Sequence, residues 1–289
     1  MKLVYMLPFF INNSSQYFNE ELKIAKDCLQ SLSLSNDVKL IIYNQGSLTN
    51  SELTLILSNY SNIDFDIIGS GVNVGIPKSR YKLVNYLLEN YSDTRYVAEI
   101  HLDMIFPPNW AKPLITYLEE HDDPIISPRI LRKINNKFYL QDNGTEINFA
   151  GNLEDKTQIL QSLTEKSLVF NFVHPVIHKL EALRSIHYYD PGFLTGHQNF
   201  EDTSILIGYR YYMGTRSNWK PKCYWESCVF HQIEGQRLNI LNTKDPQKNL
   251  DGLIRQYGAY GIYEWYAMDG NPFWLNLFNQ LIVDKSAYE

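Results

Sequence analysis

The chain has 289 residues with 44% hydrophobic side chains, and its 26 basic and 32 acidic residues give a net charge of -6. This length and composition exclude a disordered chain and allow one large α/β domain, alone or with a small extension. No basic run stands out, so we expect no nucleic-acid partner. Because the chain is acidic, binding of an anionic nucleotide would require a bridging cation.

The cysteines and the N-terminal segment predict a cytoplasmic protein. Cys28, Cys223 and Cys228 fit no zinc-binding spacing and are expected to be reduced thiols. The apolar run at residues 3–11 is too short and too interrupted for a signal peptide or a membrane span. We therefore expect a cytoplasmic location, with peripheral membrane contact left open.

The first part of the chain alternates between strand and helix patterns. Predicted strands cover residues 3–10, 38–43, 65–68, 96–102 and 124–129. Predicted helices cover residues 14–34, with Ser14 or Ser15 as the cap, 51–60 and 110–121. A further helix begins near Pro77, and its inward face is predicted to be Tyr81, Val84, Leu88 and Tyr91. The alternation predicts an α/β fold with a mainly parallel sheet flanked by helices.

The rest of the chain has a less regular pattern. Predicted strands cover residues 168–173 and 224–230, predicted helices cover 179–185 and 199–213, and the polar stretch 130–165 has no clear pattern. The last fifty residues are rich in Tyr, Trp and Phe and are predicted to form helices. The predicted organisation is a main domain of residues 1–235 and a C-terminal helical, aromatic-rich extension of residues 236–289.

The end of the fourth predicted strand carries the strongest chemical signal. Ligands of open α/β sheets lie outside the carboxyl ends of the strands, where His101 and Asp103 are found. Alternate residues of a strand point to the same face, so this pair could hold a divalent cation. Mg²⁺ prefers oxygen ligands, whereas Mn²⁺ tolerates imidazole. The structural alternative makes Asp103 a cap and His101 a core residue, and the spacing alone does not decide.

Two later positions are further candidates. Glu201 and Asp202 open a predicted helix, where adjacent acids are common because of the helix dipole. Taken alone, that structural interpretation is favoured over one in which Asp202 is a general base. His231 follows a predicted strand, and a lone histidine there is more often structural than a metal ligand.

A glycine-rich loop at residues 69–75 invites comparison with dinucleotide-binding loops. Three residues rather than two separate Gly71 from Gly75, and the loop follows the third strand rather than the first. The match is therefore weak, and a nicotinamide-dependent oxidoreductase is a lesser alternative.

Taken in order, the motifs resemble those of family-2 glycosyltransferases with the A-type (GT-A) fold, over about residues 1–235. The matching segments are Leu7-Pro8-Phe9-Phe10, Asn44-Gln45-Gly46-Ser47, Asn73-Val74-Gly75 with Arg80, His101-Leu102-Asp103, Tyr189-Asp190-Pro191-Gly192-Phe193, Glu201-Asp202 with Arg210 and Gly214, and His231. The family has an acid where this chain has Asn44, and a D-x-D motif where it has His-Leu-Asp.

The resemblance implies a metal-dependent glycosyltransferase that moves a sugar from a nucleoside diphosphate sugar to an acceptor hydroxyl with inversion, in bacterial-type polysaccharide or glycoconjugate synthesis. It implies Mn²⁺ or Mg²⁺ held by Asp103, His231 and His101, and Asp202 as the catalytic base. The donor-binding residues that it implies are Pro8, Phe9, Asn44, Gly46, Ser47, Asn73, Gly75, Arg80, His101 and Glu201.

Two questions stay open in this interpretation. The acceptor is a glycan, a lipid-linked molecule or a protein, and the C-terminal aromatic residues allow a peripheral membrane contact or a dimer contact. Because Asn44 and His101 replace acids, the alternative is a degenerate protein that binds a sugar nucleotide or glycan without transfer.

Overall fold

The computed structural model describes residues 2–11, 16–232 and 245–286, so the predicted cap at Ser14 or Ser15 lies outside the described residues. The chain divides into two compact units. The first unit contains Met1–Asn73, Lys82–Leu180 and Pro221–Asn242, and the second contains Val74–Tyr81, Glu181–Lys220 and Thr243–Glu289.

The first unit contains a large mixed sheet. Its strands are β1 (Leu3–Phe9), β2 (Val38–Asn44), β3 (Ile63–Gly69), β4 (Tyr96–Glu99), β5 (Met104–Ile105), β6 (Ile125–Ile134), β7 (Lys137–Leu140), β8 (Glu146–Ile147), β9 (Leu168–Phe170), β10 (Val176–Lys179) and β11 (Lys222–His231). The main path has the order β3-β2-β1-β4-β10-β6-β11-β5, and β7, β8 and β9 pair beside β6, β7 and β11.

Most strands of the main path run in one direction. β1 pairs in parallel with β2 and β4, β2 pairs in parallel with β3, and β6 pairs in parallel with β11. β10 is antiparallel to both β4 and β6, so these two neighbours of β10 run in the same direction as each other. The predicted mainly parallel sheet is confirmed.

Helices cover the sheet of the first unit. They are α1 (Phe18–Leu32), α2 (Asn50–Leu57), α4 (Ala111–Glu120) and α5 (Leu153–Ser162), and α3 (Ile76–Asn90) begins in the second unit and continues into the first. The main core lies between β1, β2, β4 and the apolar faces of α1, α2 and α4. Its contacts include Leu29 of α1, Leu40 of β2 and Leu114 of α4, each no more than 1% exposed.

The polar stretch at residues 130–165 is ordered around a second, smaller core. β6, β7 and β8 form antiparallel pairs, and α5 follows with a capping box in which Asn152 and Asp155 bond each other's backbone amides. The residues of this core include Leu131, Leu140, Leu160 and Phe230. The short strands, two to four residues in β7 and β8, explain why no clear pattern is visible in the sequence.

The second unit contains the later helices. They are α6 (Leu180–Ser185), whose first residue belongs to the first unit, α7 (Glu201–Tyr212), α8 (Asp245–Asp269), which is interrupted at Gly258, and α9 (Pro272–Ser286). The predicted C-terminal helices are therefore confirmed, while the predicted boundary after residue 235 lies outside the described residues and stays a prediction. No helix in the described part of the chain is both long and apolar enough to cross a membrane.

Candidate functional site

The turn between β4 and β5 carries His101 and Asp103. β4 ends at Glu99, so the two side chains do not alternate on one strand as predicted. They converge for another reason, which is the antiparallel pairing of β5 with β11. Met104 lies opposite His231, and the backbone amide of Gln232 donates to the carbonyl oxygen of Asp103 at 2.8 Å. This long-range pairing places His231 beside the turn.

His101, Asp103 and His231 form a compact cluster of possible metal ligands. One ligand atom from each lies within 4.8 Å of the others. His231 Nε2 is 3.4 Å from Asp103 Oδ1, yet among the described residues no hydrogen bond reaches this buried oxygen. Because a buried carboxylate oxygen that accepts no hydrogen bond is costly, the cluster fits a divalent cation. A ligand set of two imidazoles and one carboxylate suits Mn²⁺ better than Mg²⁺.

The imidazole of His101 packs against the rings of two other histidines. It stacks on His174 with ring centroids 4.7 Å apart and meets His231 edge-on at 5.4 Å. Phe172 in turn lies edge-on against His174 at 5.2 Å. These contacts orient His101. His174 has no signal in the sequence, because only the fold brings it to the cluster.

The turn after β2 is shaped by Asn44, which is fully buried. Its Nδ2 donates to the carbonyl oxygen of Leu48 at 2.8 Å and to Asn50 Oδ1 at 2.7 Å, and its Oδ1 accepts from the amide of Gly46. Ser47, by contrast, is exposed. Asn44 thus builds the turn, and its direct contact with a donor stays a prediction.

The same turn lies close to the end of β1. A Cβ on Gly46 would lie 2.6 Å from the backbone nitrogen of Ile11, so only glycine fits there. Pro8 is partly buried, and Phe9 is 1% exposed within the main core. Phe10 is the aromatic side chain that solvent reaches, with 36% exposure. The donor contact of Phe9 stays a prediction, and the sequence analysis did not single out Phe10.

In the second unit, Arg80 and Asp202 form an ion pair. Arg80 is 2% exposed, and its Nη1 donates to Asp202 Oδ1 at 2.9 Å and to the hydroxyl of Tyr189 at 3.3 Å. Its guanidinium also lies over the Tyr189 ring at 5.1 Å. The Asp202 side chain is 40% exposed, whereas Glu201 is buried. The two acids therefore point in different directions, as their adjacent positions on α7 require.

Gly75, at the start of α3, is required for a steric reason. Its φ is 84°, and a Cβ there would lie 2.5 Å from the Cα of His197. The amide of Ile76 donates to the carbonyl oxygen of His197 at 2.7 Å. Asn73, two residues earlier, is exposed.

Of the predicted site residues, the metal cluster and the positions up to Asn73 belong to the first unit. Gly75, Arg80, Glu201 and Asp202 belong to the second.

The protein has the GT-A glycosyltransferase fold. Among solved structures it is similar to residues 1–349 of TarS from S. aureus in complex with UDP-GlcNAc, with a TM-score of 0.58 and 11% identity over 91% of this chain. It is also similar to GalNAc-T7 with UDP, GalNAc and Mn²⁺, with a TM-score of 0.58 and 12% identity over 92% of this chain.

These similarities concern the fold. The chain spans 66% of that TarS structure, 65% of the same TarS fragment in complex with UDP, and 50% of the GalNAc-T7 structure. No protein-family model and no curated protein matches the chain in sequence.

Proposed function

We propose that this protein is a metal-dependent glycosyltransferase that uses a UDP-sugar as donor. The observation that carries the proposal is the cluster of His101, Asp103 and His231 at the end of β4 in a GT-A fold. The similar TarS and GalNAc-T7 structures contain UDP-GlcNAc, and UDP with GalNAc and Mn²⁺, respectively. An inverting mechanism, a role in bacterial-type glycan synthesis and a cytoplasmic location are part of the same proposal.

The three clustered residues have complementary roles in this proposal. When bound, a divalent cation would offset the negative charge that a diphosphate leaving group gains as the sugar bond breaks. Asp103, which is 7% exposed, would supply the anionic ligand. His101 and His231 would supply nitrogen ligands, and the stack with His174 limits rotation of the His101 ring.

Transfer also needs a group that takes the proton of the acceptor hydroxyl. In a single displacement, the acceptor oxygen bonds to the anomeric carbon while the bond to the diphosphate breaks, and the sugar is inverted. The sequence predicts Asp202 as this base. Its Oδ1 forms an ion pair with Nη1 of Arg80 at 2.9 Å, and its side chain is 40% exposed.

A thermal-shift screen of UDP, GDP and ADP, each with Mn²⁺ or EDTA, tests the donor assignment. UDP at about 100 times its dissociation constant should add about 2.7 kcal/mol of stability in Mn²⁺. Release of UDP from a panel of UDP-sugars then tests the reaction. Absence of any metal-dependent nucleotide binding would refute the proposal.

A non-catalytic binding protein of the same fold is the second candidate. It is favoured by Asn44, which replaces the family's acid and whose side chain is engaged within its own turn. Metal-dependent UDP binding without release of UDP from any UDP-sugar, in the presence of water or added glycans, would support this candidate over the enzyme.

A further inference from the structure

A cavity of about 150 Å³ lies within the first unit, bordered by α1, α5 and the strands β5, β6, β7 and β11. Phe230 and Gln232 line it, whereas His231 between them does not. Successive residues of a strand point to opposite faces, so the cavity and the imidazole of His231 lie on opposite sides of β11. The cavity is therefore separate from the metal cluster, although Asp103 borders both.

Three phenylalanine rings form an apolar part of the cavity wall. Phe138, Phe149 and Phe230 contact one another, with ring centroids 5.0, 5.2 and 5.7 Å apart. Met104 of β5 adds a further apolar side chain to the lining. Protein interiors are close-packed, and an apolar cavity of this size is large enough to hold one molecule of benzene. The cavity therefore has the dimensions and the wall chemistry for a single apolar ring.

Two lysines line the same cavity beside these rings. Lys133 of β6 is in register with Phe138 of β7, and Nζ of Lys156 in α5 lies 5.9 Å from the centroid of the Phe149 ring. Both lysines are partly buried, and within residues 2–11, 16–232 and 245–286 neither forms an ion pair. Because a partly buried ammonium group gains more from an opposite charge than an exposed one does, the two lysines favour an anionic group.

The acidic residues of the lining are Asp27 and Asp103. Asp27 belongs to α1, and among the described residues it forms no ion pair with either lysine. Oδ1 of Asp103 lies 3.4 Å from Nε2 of His231, on the side of the metal cluster. A ligand with a single anionic group can therefore gain two cationic partners, while Asp27 opposes ligands that carry further negative charge.

We propose that this cavity is a second ligand site, which binds a small molecule with one planar apolar ring and one anionic group. The ring packs against Phe138, Phe149 and Phe230, and the anionic group pairs with the ammonium groups of Lys133 and Lys156. The site goes beyond the proposed glycosyl transfer and does not depend on it, because neither the sugar donor nor Mn²⁺ takes part in this binding.

Calorimetric titration of the full chain with phenyl phosphate in EDTA tests this site. Inorganic phosphate carries the charge without the ring, and benzyl alcohol carries the ring without the charge. We expect phenyl phosphate to bind at least about 10-fold more tightly than either probe, because a hydrogen bond to a charged group and the burial of an aromatic ring each contribute about that much or more.

Substitutions of the lysines separate ligand binding from a structural effect. Lys133→Met and Lys156→Met each keep an unbranched apolar side chain and remove the charge. Each should weaken binding of phenyl phosphate by about 10-fold and leave binding of benzyl alcohol unchanged, whereas a misfolded cavity would lose both. Lys166→Met is the matched control, since it removes an exposed lysine of the same unit that does not line the cavity. In the same titration, the methyl resonance of Met104 should shift, whereas that of Met268 in the second unit should not.

Several results would overturn the inference. Absence of phenyl phosphate binding in the parent would do so, as would equal affinity for phenyl phosphate and inorganic phosphate, or parental affinity in both lysine variants. Competitive displacement of phenyl phosphate by UDP in Mn²⁺ would assign the probe to the donor site and also exclude the second site. Failure of the parent to bind UDP would refute the proposed function instead, and the titrations in EDTA would still decide this inference.

Discussion

At the scale of single residues, Asp103 combines a negative charge with burial, at 7% exposure. If it is the anionic ligand of a cation that bridges to a diphosphate, Asp103→Ala should weaken UDP binding in Mn²⁺ by more than about 100-fold, because loss of even an outer-shell partner costs about 10–100-fold. Calorimetric titration in Mn²⁺ and in EDTA measures this. The variant and the parent should bind alike in EDTA.

Two further variants sharpen that prediction. His231→Ala should cause a smaller loss in Mn²⁺, because it removes a neutral ligand. Asp64→Ala is the control, since it removes a carboxylate from the same unit whose side chain is 74% exposed. Equal affinity of Asp103→Ala and the parent in Mn²⁺ would disprove the metal assignment.

Asp245, the first residue of α8, makes the free energy of unfolding depend on pH, because its Oδ2 lies 3.0 Å from Nδ1 of His197. Its pKa in the folded protein lies below the unfolded value, so its stabilising effect is present above the unfolded pKa of about 4 and is lost as pH falls through the folded value. Asp245→Asn should therefore reduce the free energy of unfolding at pH 7, and the difference from the parent should shrink at pH 3. Urea unfolding at the two pH values measures both differences, and a constant difference would contradict this linkage.

The site residues show what a sequence can and cannot reveal. Asp103 and Asp202 stand in recognisable local motifs, so both could be singled out. His174 has no such local signal, because a distant part of the chain brings it to the ring of His101.

At the scale of elements, the approach of α3 to the loop at His197 depends on Gly75. In Gly75→Ala, the new Cβ would meet the His197 backbone, and the positive φ would add strain. We expect a loss of about 2–4 kcal/mol in unfolding free energy and a displaced loop. Gly144→Ala is the matched control, because Gly144 has a φ of 71° but nothing within 4 Å of the new Cβ. Equal losses in the two variants would show that the close approach does not matter.

The predicted elements were most accurate where a local pattern is long. The helix predicted from residue 14 to 34 is α1, in which Ala25, Cys28 and Leu32 are buried. In contrast, β4 is shorter than predicted, because the apolar run continues through Ile100 and Leu102 while the backbone turns. β10 was missed because a four-residue strand has no distinctive pattern and exists through its pairing with β4 and β6.

The prediction of the inward face of α3 was partly wrong. Val84 is buried as predicted, but the other fully buried apolar residues of the helix are Leu83 and Leu87, whereas Tyr81 and Leu88 are only partly buried. The buried positions Leu83, Val84 and Leu87 have helical spacing and form one stripe, which is rotated relative to the predicted one.

At the scale of the whole molecule, the second unit is formed by three separate stretches of chain, and a pattern within one contiguous segment cannot predict such a unit. The C-terminal helices contribute buried residues to it, among them Ile262, Met268 and Trp274. Glu264 of α8 also accepts from Nε of the buried Arg210 at 2.8 Å. Deletion of residues 255–289 should therefore give an insoluble product, which expression and sedimentation would reveal.

The exposed aromatic residues of these helices allow a separate test of a surface role. Tyr260 and Phe273 are 70% and 52% exposed. The double variant Tyr260→Ser, Phe273→Ser should stay soluble and fold normally if the helices serve mainly as core. A loss of dimers in sedimentation, or of binding to anionic vesicles, would instead assign these rings to a partner or a membrane surface. A soluble deletion product that still hydrolyses the donor but cannot transfer would assign the segment to the acceptor.

Because β5 pairs with β11, the cluster of His101, Asp103 and His231 is complete only after β11 has been synthesised. Asp103 and His101 leave the ribosome long before His231, and contacts between residues so far apart in the chain form late in folding. A nascent or truncated chain that stops short of His231 holds an incomplete ligand set. If the cluster binds Mn²⁺ as proposed, such fragments should bind the ion and the donor nucleotide more weakly than the finished protein.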